Sequence, residues 1–454
     1  MKKLFYFAAV AALVLTSCAK THDTHQYTGA GDAVSFGVYA GKTPTKAVSE
    51  AYFGNITTTE LKLTTAGFGV FGYYTGNDSY AEDTFAADFM YNEKVTWNST
   101  SSKWEYSPIK YWPNEHGTSA TSTDADKLTF LCYAPYVAEL VKGSGELTTT
   151  VDDGTGTAAT EGITRMTGNT IGTSAKLRFT VPASSEEQID LLYGVLKSKS
   201  VNVDGVEEGN VDTTADPETH GPIENLTKQK TGGKVDILFK HALAKATIDI
   251  RDIVDQENAS SALTPGSDDT DGYDGTVVVV KNLNILGGTS TKVFGTSGVL
   301  NLYTGVWSDI TGTSSFAVAP LPTEIAVNSK PTAQPTIEGV LEGGLEDAGY
   351  TTAPGKIDIM FIPGGDIVGV EIIYYVCTED AKLGFNGGAS IIENHITKYF
   401  DMDGTEDGNQ PIETEAGKQY NINIQLGLTS VKLQADVDPW GHDDYPIDLP
   451  KNVD

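Results

Sequence analysis

Short runs in which apolar and polar residues alternate with a period of two recur along the whole chain, and helical 3.6-residue periodicity is scarce. Successive side chains of a strand point to opposite faces, so such runs build half-buried strands and give a helix no continuous apolar stripe. Leu128 to Tyr133 ("LTFLCY"), Ile189 to Val195, Val277 to Leu286 and Val368 to Cys377 are examples, bounded by Gly, Asn, Asp, Thr and Ser. This pattern specifies an all-β protein. Its 454 residues exceed one ordinary domain, and two medium domains are expected once the leader is set aside, with the boundary near residue 230. The Thr-, Gly- and Asp-rich stretches 145–174 and 200–233 are read as surface loops. The run "KVDILFKHALAKATIDIRD" (234–252) changes phase at His241 to Lys245 and is read as one bulged or bent strand, with His241 a packed or hydrogen-bonded structural residue.

Lys2 and Lys3 precede an apolar run from Leu4 to Leu15 that is too short to span a bilayer and is built like the core of a signal peptide. It stops at Leu15-Thr16-Ser17-Cys18, which resembles a bacterial lipobox whose cysteine receives a lipid; an ordinary secretory leader with a chance cysteine is the other reading. Cys132 and Cys377 each sit inside an apolar strand-like run and are read as buried free thiols rather than a disulfide. The formal charge is −30; residues 1–46 hold five Lys and two Asp, so the remainder carries −33. Such a field disfavours nucleic acid and anionic membranes as partners.

Signatures of catalysis are sparse. Gly37 to Thr43 falls one residue short of a phosphate-binding loop and precedes no helical pattern. Gly-x-Ser-x-Gly is absent, and His442-Asp443-Asp444 has no motif-borne serine to serve. No CxxC or HExxH spacing offers a zinc site, and the seven histidines are scattered singly. Two acidic loops, "DDTDGYDG" (268–275) and "DMDGTEDGNQPIE" (401–413), carry enough carboxylates to suggest calcium, but the second has Glu406 where the turn needs glycine and Ile412 where a bidentate carboxylate belongs, and both are read as solvated loops. Trp97, Trp104, Tyr106, Tyr111 and Trp112 form an aromatic cluster that reads either as packing around a hairpin, with Asn98 to Ser102 at its turn, or as a sugar-stacking platform. Neither a cofactor nor a metal is implied, and no enzyme is expected.

Taken in order, the Cys18 lipobox, "LTFLCYAPY" (128–136), "DLLYG" (190–194), "FKHALAKATIDI" (239–250) and "AGKQYNINIQLGLTSVKLQADVDPWG" (416–441) resemble the fimbrillin family, lipoprotein-derived fimbrial subunits of Bacteroides-type bacteria. The resemblance implies two β-sandwich domains of transthyretin-like topology, no catalytic centre, and polymerisation by strand donation after a trypsin-like protease removes a pro-segment. Lys46-Ala47 matches the cleavage site in position and type. The implied division is 1–17 leader, 18–46 pro-segment, 47–230 N-terminal sandwich, 231–440 C-terminal sandwich and 441–454 tail. The partners implied are other copies and related fimbrial subunits, with membrane attachment only through the Cys18 lipid before cleavage. The location implied is the outer membrane and a cell-surface fimbria.

Within that frame Val34, Phe36 and Val38 read as a removable strand whose loss leaves an apolar groove. Two C-terminal stretches alternate as a donor should: Val431, Leu433, Ala435 and Val437, then Tyr445, Ile447 and Leu449. Burying four such side chains is worth on the order of 6–12 kcal/mol before ordering costs. Prolines at 446 and 450 bar the second stretch from a central strand position. An anchored glycan-binding lipoprotein using the aromatic cluster, and an anchor or tip fimbrial subunit, are the competing readings.

Overall fold

The computed structural model describes residues 33–40, 61–62, 66–113, 126–142, 147, 150–196, 221–228, 233–252, 276–318, 355–379, 389–400, 411–427 and 431–439. Strands are the predominant element among these residues, as the alternation requires.

An eight-stranded sheet dominates the first half. It contains β1 (Ser35–Ala40), β2 (Phe68–Gly76), β3 (Met90–Asn98), β4 (Lys103–Glu105), β5 (Lys127–Ala134), β8 (Leu192–Leu196), β9 (Ile223–Leu226) and β10 (Lys234–His241). Its order is β1-β10-β8-β5-β2-β3-β4, with β9 beside β5. The two ends of that order meet, β1 touching β4, so the sheet curls around a core of its own. Phe68 and Val70 of β2, Phe130 and Cys132 of β5, and Val235, Ile237 and Phe239 of β10 point into this core. The opposite faces of β2 and β5 are covered too: Phe71, Tyr73, Leu131 and Tyr133 pack on a second sheet. Burial on both faces explains why "LTFLCYA" reads as a continuous apolar run. Burial also pushes the Cys132 thiol well up from its ordinary range, as befits an inert packed sulfur.

That second sheet joins distant parts of the chain. β6 (Gly162–Met166) and β7 (Lys176–Thr180) continue into β13 (Phe294–Asn301) and β14 (Trp307–Thr313), in the order β14-β13-β7-β6. The remaining strands make a sandwich. One layer is β16 (Gly355–Phe361), β11 (Ala244–Asp252), β20 (Lys418–Leu426) and β21 (Val431–Pro439), in the order β16-β11-β20-β21. The other is β15 (Ser315–Ala317), β12 (Thr276–Gly287), β17 (Asp366–Glu379) and β18 (Ala389–Tyr399), with β19 (Ile412–Glu413) beside β17. Ala246, Ile248, Ile250, Ile422 and Ile424 of the first layer face Leu283, Ile285, Val370 and Ile372 of the second. The Tyr374 hydroxyl crosses between the layers to Gly427 O, 2.7 Å away.

Two expectations need correction. The run 234–252 is two strands in two different sheets, because buried Ala242 and Leu243 carry the chain from one core to the other instead of bulging within one strand. The chain changes sheet at residues 242–243, and β13 and β14 return to the first half's side by pairing with β7. The stretches read as loops hold β6 and β9, each five residues or fewer and too short to show a period. His241 is hydrogen-bonded, as the sequence reading has it: its Nδ1 lies 2.6 Å from Oδ2 of the buried Asp190. The pair sits beside the crossover, where Trp307 Nε1 also donates to Ala242 O.

Candidate functional site

β1 closes a gap. On one side it pairs with β10 in parallel, Ser35 opposite Lys234, Phe36 opposite Val235 and Val38 opposite Ile237. On the other side it meets the loop that follows β4: Val34 N donates to Lys110 O at 2.9 Å, and Ala33 bridges Tyr111. The Tyr106 hydroxyl donates to Val34 O at 2.8 Å, and Trp112 Nε1 donates to Gly233 O, which also accepts from Ser35 N. Tyr106 thus holds the start of the strand directly, and Trp112 fixes the Gly233 carbonyl to which Ser35 N also bonds.

The side chains follow the strand period. Val34, Phe36 and Val38 are all buried in the curled sheet's core, while Ser35 between them is exposed. Phe36 is surrounded edge-on, its ring centroid 5.7 Å from Phe130, 5.7 Å from Tyr106 and 6.0 Å from Phe68. Three such side chains contribute roughly 5–8 kcal/mol of apolar burial. Gly37 has a positive role in this packing. The Lys234 and Asp236 side chains, 2.9 Å apart as an ion pair, lie across the outer face of β1 at that residue. Any Cβ at position 37 would run into both of them. The sequence pattern reads this glycine as a weak spot in the strand, whereas it is what lets the charged pair cover the strand.

Among the residues singled out in the C-terminal region, Val431, Leu433, Ala435 and Val437 lie on β21, the last strand of its layer. It pairs with β20 along its full length, from Leu426 opposite Val431 to Lys418 opposite Pro439. Burial fades along the strand: Val431 is buried, Leu433 and Ala435 are half-buried against the sandwich core, and Val437 is 41% exposed. β21 ends close to the crossover, because Gly417 N, just before β20, donates to Leu243 O at 2.9 Å. Cys18, Lys46, Ala47, Tyr445, Ile447 and Leu449, and the acidic loops 268–275 and 401–410, lie outside the described residues. So does the Cys377 side chain, although its backbone pairs with Val277 and Ile391.

The aromatic cluster is a packing unit. Trp97 and Trp104 face each other across the β3–β4 hairpin, with ring centroids 5.5 Å apart, and Asn98 Oδ1 accepts from Thr100 N and Ser101 N in the turn. Trp104 and Trp112 are buried and Trp97 and Tyr106 half-buried, so the sugar-stacking platform of the alternative reading does not form; Tyr111 alone of the five is exposed. Among the described residues no group of three His, Cys, Asp or Glu side chains converges to hold a metal ion.

Sequence reasoning missed the second wall of the site. Nothing in the alternation pairs β1 with β10, nearly two hundred positions away, or marks Tyr106 and Trp112 as the residues that hold its start, directly and through Gly233. The one available signal was the in-phase spacing of those two aromatics, six residues apart on a proline-containing loop.

Replacing Tyr106 with phenylalanine removes the hydroxyl that holds Val34 and leaves the ring beside Phe36. We expect a loss of about 1 kcal/mol in stability and faster proteolysis between residues 33 and 40, measured by limited digestion with mass-spectrometric mapping. Burial raises the Tyr106 phenol above its ordinary range. The bond is therefore intact below about pH 10 and is lost as pH climbs through the raised value, so at strongly alkaline pH parent and variant should be cleaved at the same rate.

No family model matches the chain. Over 139 residues it is 29% identical to the fimbrium subunit Fim1C of Phocaeicola vulgatus, a match that covers 30% of this chain and 32% of that protein. The chain thus spans about a third of the curated relative's length. The crystal structure of a fimbrial protein from Bacteroides vulgatus aligns with a TM-score of 0.54 at 17% identity, over 90% of this chain and 99% of that one. The fold is that of a Bacteroides fimbrial protein. The chain thus shares that fold and, over part of its length, resembles a fimbrium subunit in sequence.

Proposed function

We propose that the chain is a structural subunit of a cell-surface fimbria, exported as a lipoprotein through Cys18 and polymerised after proteolysis at Lys46-Ala47. The supporting observation is the position of β1: it fills a gap between β10 and the loop after β4, with no strand of its sheet beyond it. Its withdrawal leaves the core-facing residues Val235, Ile237, Phe68 and Phe130 without cover, and a row of β10 backbone groups without partners. An edge of that kind is unstable in water and accepts an extended segment, backbone for backbone. In this reading the C-terminal region of a second copy supplies that segment, and the trypsin-like protease supplies the trigger. The chain then serves as a stalk subunit supporting adhesion, held at the outer membrane only before the cut.

Release is not spontaneous in this scheme. The three buried side chains of β1 hold it in place even after the backbone is cut, so exchange needs an incoming strand of comparable apolar burial. N-terminal sequencing of filaments recovered from the cell surface tests the reading: we expect a start at Ala47. Filaments whose subunits all begin at Cys18 and retain β1 would refute it.

A further inference from the structure

We infer that the loop 106–113 is the second half of the docking surface, receiving that part of another copy's C-terminal segment 440–454 which the β1 slot does not hold. The inference rests on the strand-replacement reading above.

The loop lies at the outer end of the slot. β10 starts at Lys234 beside Trp112 and runs to His241 at the crossover, so Tyr106 to Trp112 mark the end remote from the second sandwich. Tyr106 and Trp112 turn inward. Ile109 and Tyr111 turn outward, 56% and 52% exposed, with Pro108 exposed beside them. Two large apolar side chains held out on one short loop need an explanation in a chain of charge −30.

The loop backbone is already built to accept a strand. Ala33 bridges Tyr111 and Val34 N bonds to Lys110 O, so a segment occupying the slot passes directly onto the loop. The slot accommodates the six residues of β1, about 20 Å of extended chain, whereas the segment 440–454 reaches about 50 Å. The surplus must lie beyond one end of the slot, and the exposed apolar pair borders the outer end. Charge fits as well. The segment carries Asp443, Asp444, Asp448 and Asp454 against one lysine, Lys451. The loop's one charged residue is Lys110; on the neighbouring β4 the exposed Lys103 is balanced by the exposed Glu105. Tyr445, Ile447 and Leu449 supply apolar side chains for Ile109 and Tyr111 to meet.

The test uses the full chain exported in its own cell type. A photo-reactive residue is introduced as Tyr111→p-benzoylphenylalanine, and cross-linked filaments are mapped by mass spectrometry. We expect cross-links from position 111 to peptides within 440–454 of a second copy. A double variant, Ile109→Ser with Tyr111→Ser, should reach the surface in parental amount and yield at least fivefold less filament. Parental filament yield from that variant, or cross-links only to other segments, would overturn the inference. If filament subunits lack β1 yet show no such cross-link, the loop's role alone fails; if they retain β1, the strand-replacement reading fails with it.

Discussion

Replacing Phe36 with aspartate is expected to unfold the first half of the uncleaved chain. The ring is packed edge-on against Phe68, Tyr106 and Phe130, and its site is buried on every side. Truncating a buried phenylalanine typically costs about 3–5 kcal/mol, and an unpaired carboxylate in the same place costs more. Phe36→Leu, which keeps most of the apolar volume, should cost under about 1.5 kcal/mol. Denaturant unfolding followed by tryptophan fluorescence reads this directly, because Trp104 and Trp112 belong to the same core. An unfolding midpoint for Phe36→Asp equal to that of Phe36→Leu would mean that β1 contributes nothing to the folded precursor. The sharper expectation concerns the product: once the pro-segment has been removed from a folded chain, residue 36 no longer belongs to the subunit. A substitution that disables the precursor would then be invisible in the assembled filament.

Two truncations separate folding from assembly at the other terminus. A chain ending before Val431 loses β21, exposing the edge of β20 and opening the sandwich core at Ile422 and Ile424. Loss of the burial of Val431, Leu433 and Ala435 is expected to cost about 3–6 kcal/mol, read as a lowered denaturation midpoint. A chain ending at Pro439 keeps all of β21 and its register, so its stability should match that of the parent. If the segment beyond Pro439 is the donor, this second chain nevertheless assembles no filaments. If β21 itself is donated, the Pro439 chain still polymerises. Geometry bears on the choice. β20 runs away from the crossover and β21 returns to it, so a segment starting after Pro439 leaves from between the two halves of the molecule. A segment starting before Val431 leaves from the far end of the second sandwich.

The strands that face one core and solvent could be read directly from the chain. Val277 to Leu286 and Val368 to Cys377 appear within two residues of where alternation puts them. The hairpin through Asn98 to Ser102 was equally plain, because the asparagine that caps its turn and the aromatics that face across it are neighbours in sequence. Elsewhere one-dimensional pattern fell short for identifiable reasons. Ala242 and Leu243 are buried between two cores, so the change of sheet leaves no polar break and the run 234–252 reads as one bent strand. β13 pairs with β7 across more than a hundred residues, and a period of two records which residues alternate but not which strand lies alongside. β1 is the clearest case. Its inward face was legible in Val34, Phe36 and Val38, while its partner, its parallel direction and the hydrogen bonds that Tyr106 and Trp112 make around its start are all long-range facts. Gly37 looked like a defect because its purpose, making room for Lys234 and Asp236, belongs to the neighbouring strand.

The central claim is that β1 must leave for subunits to join, and a reversible lock on that strand tests it most directly. Ser35 and Lys234 are register partners, both exposed on the outer face of the sheet, and neighbouring strands lie about 4.8 Å apart, within the Cα range a disulfide spans. The double variant Ser35→Cys with Lys234→Cys, made in a Cys377→Ser background, would tie β1 to β10 whether or not the chain is cut at Lys46, and the buried Cys132 thiol is too sheltered to interfere. The measurement is filament mass formed by the protease-treated variant, oxidised and then reduced. The account predicts none while the disulfide is closed and parental assembly after reduction; equal assembly in both states would contradict it.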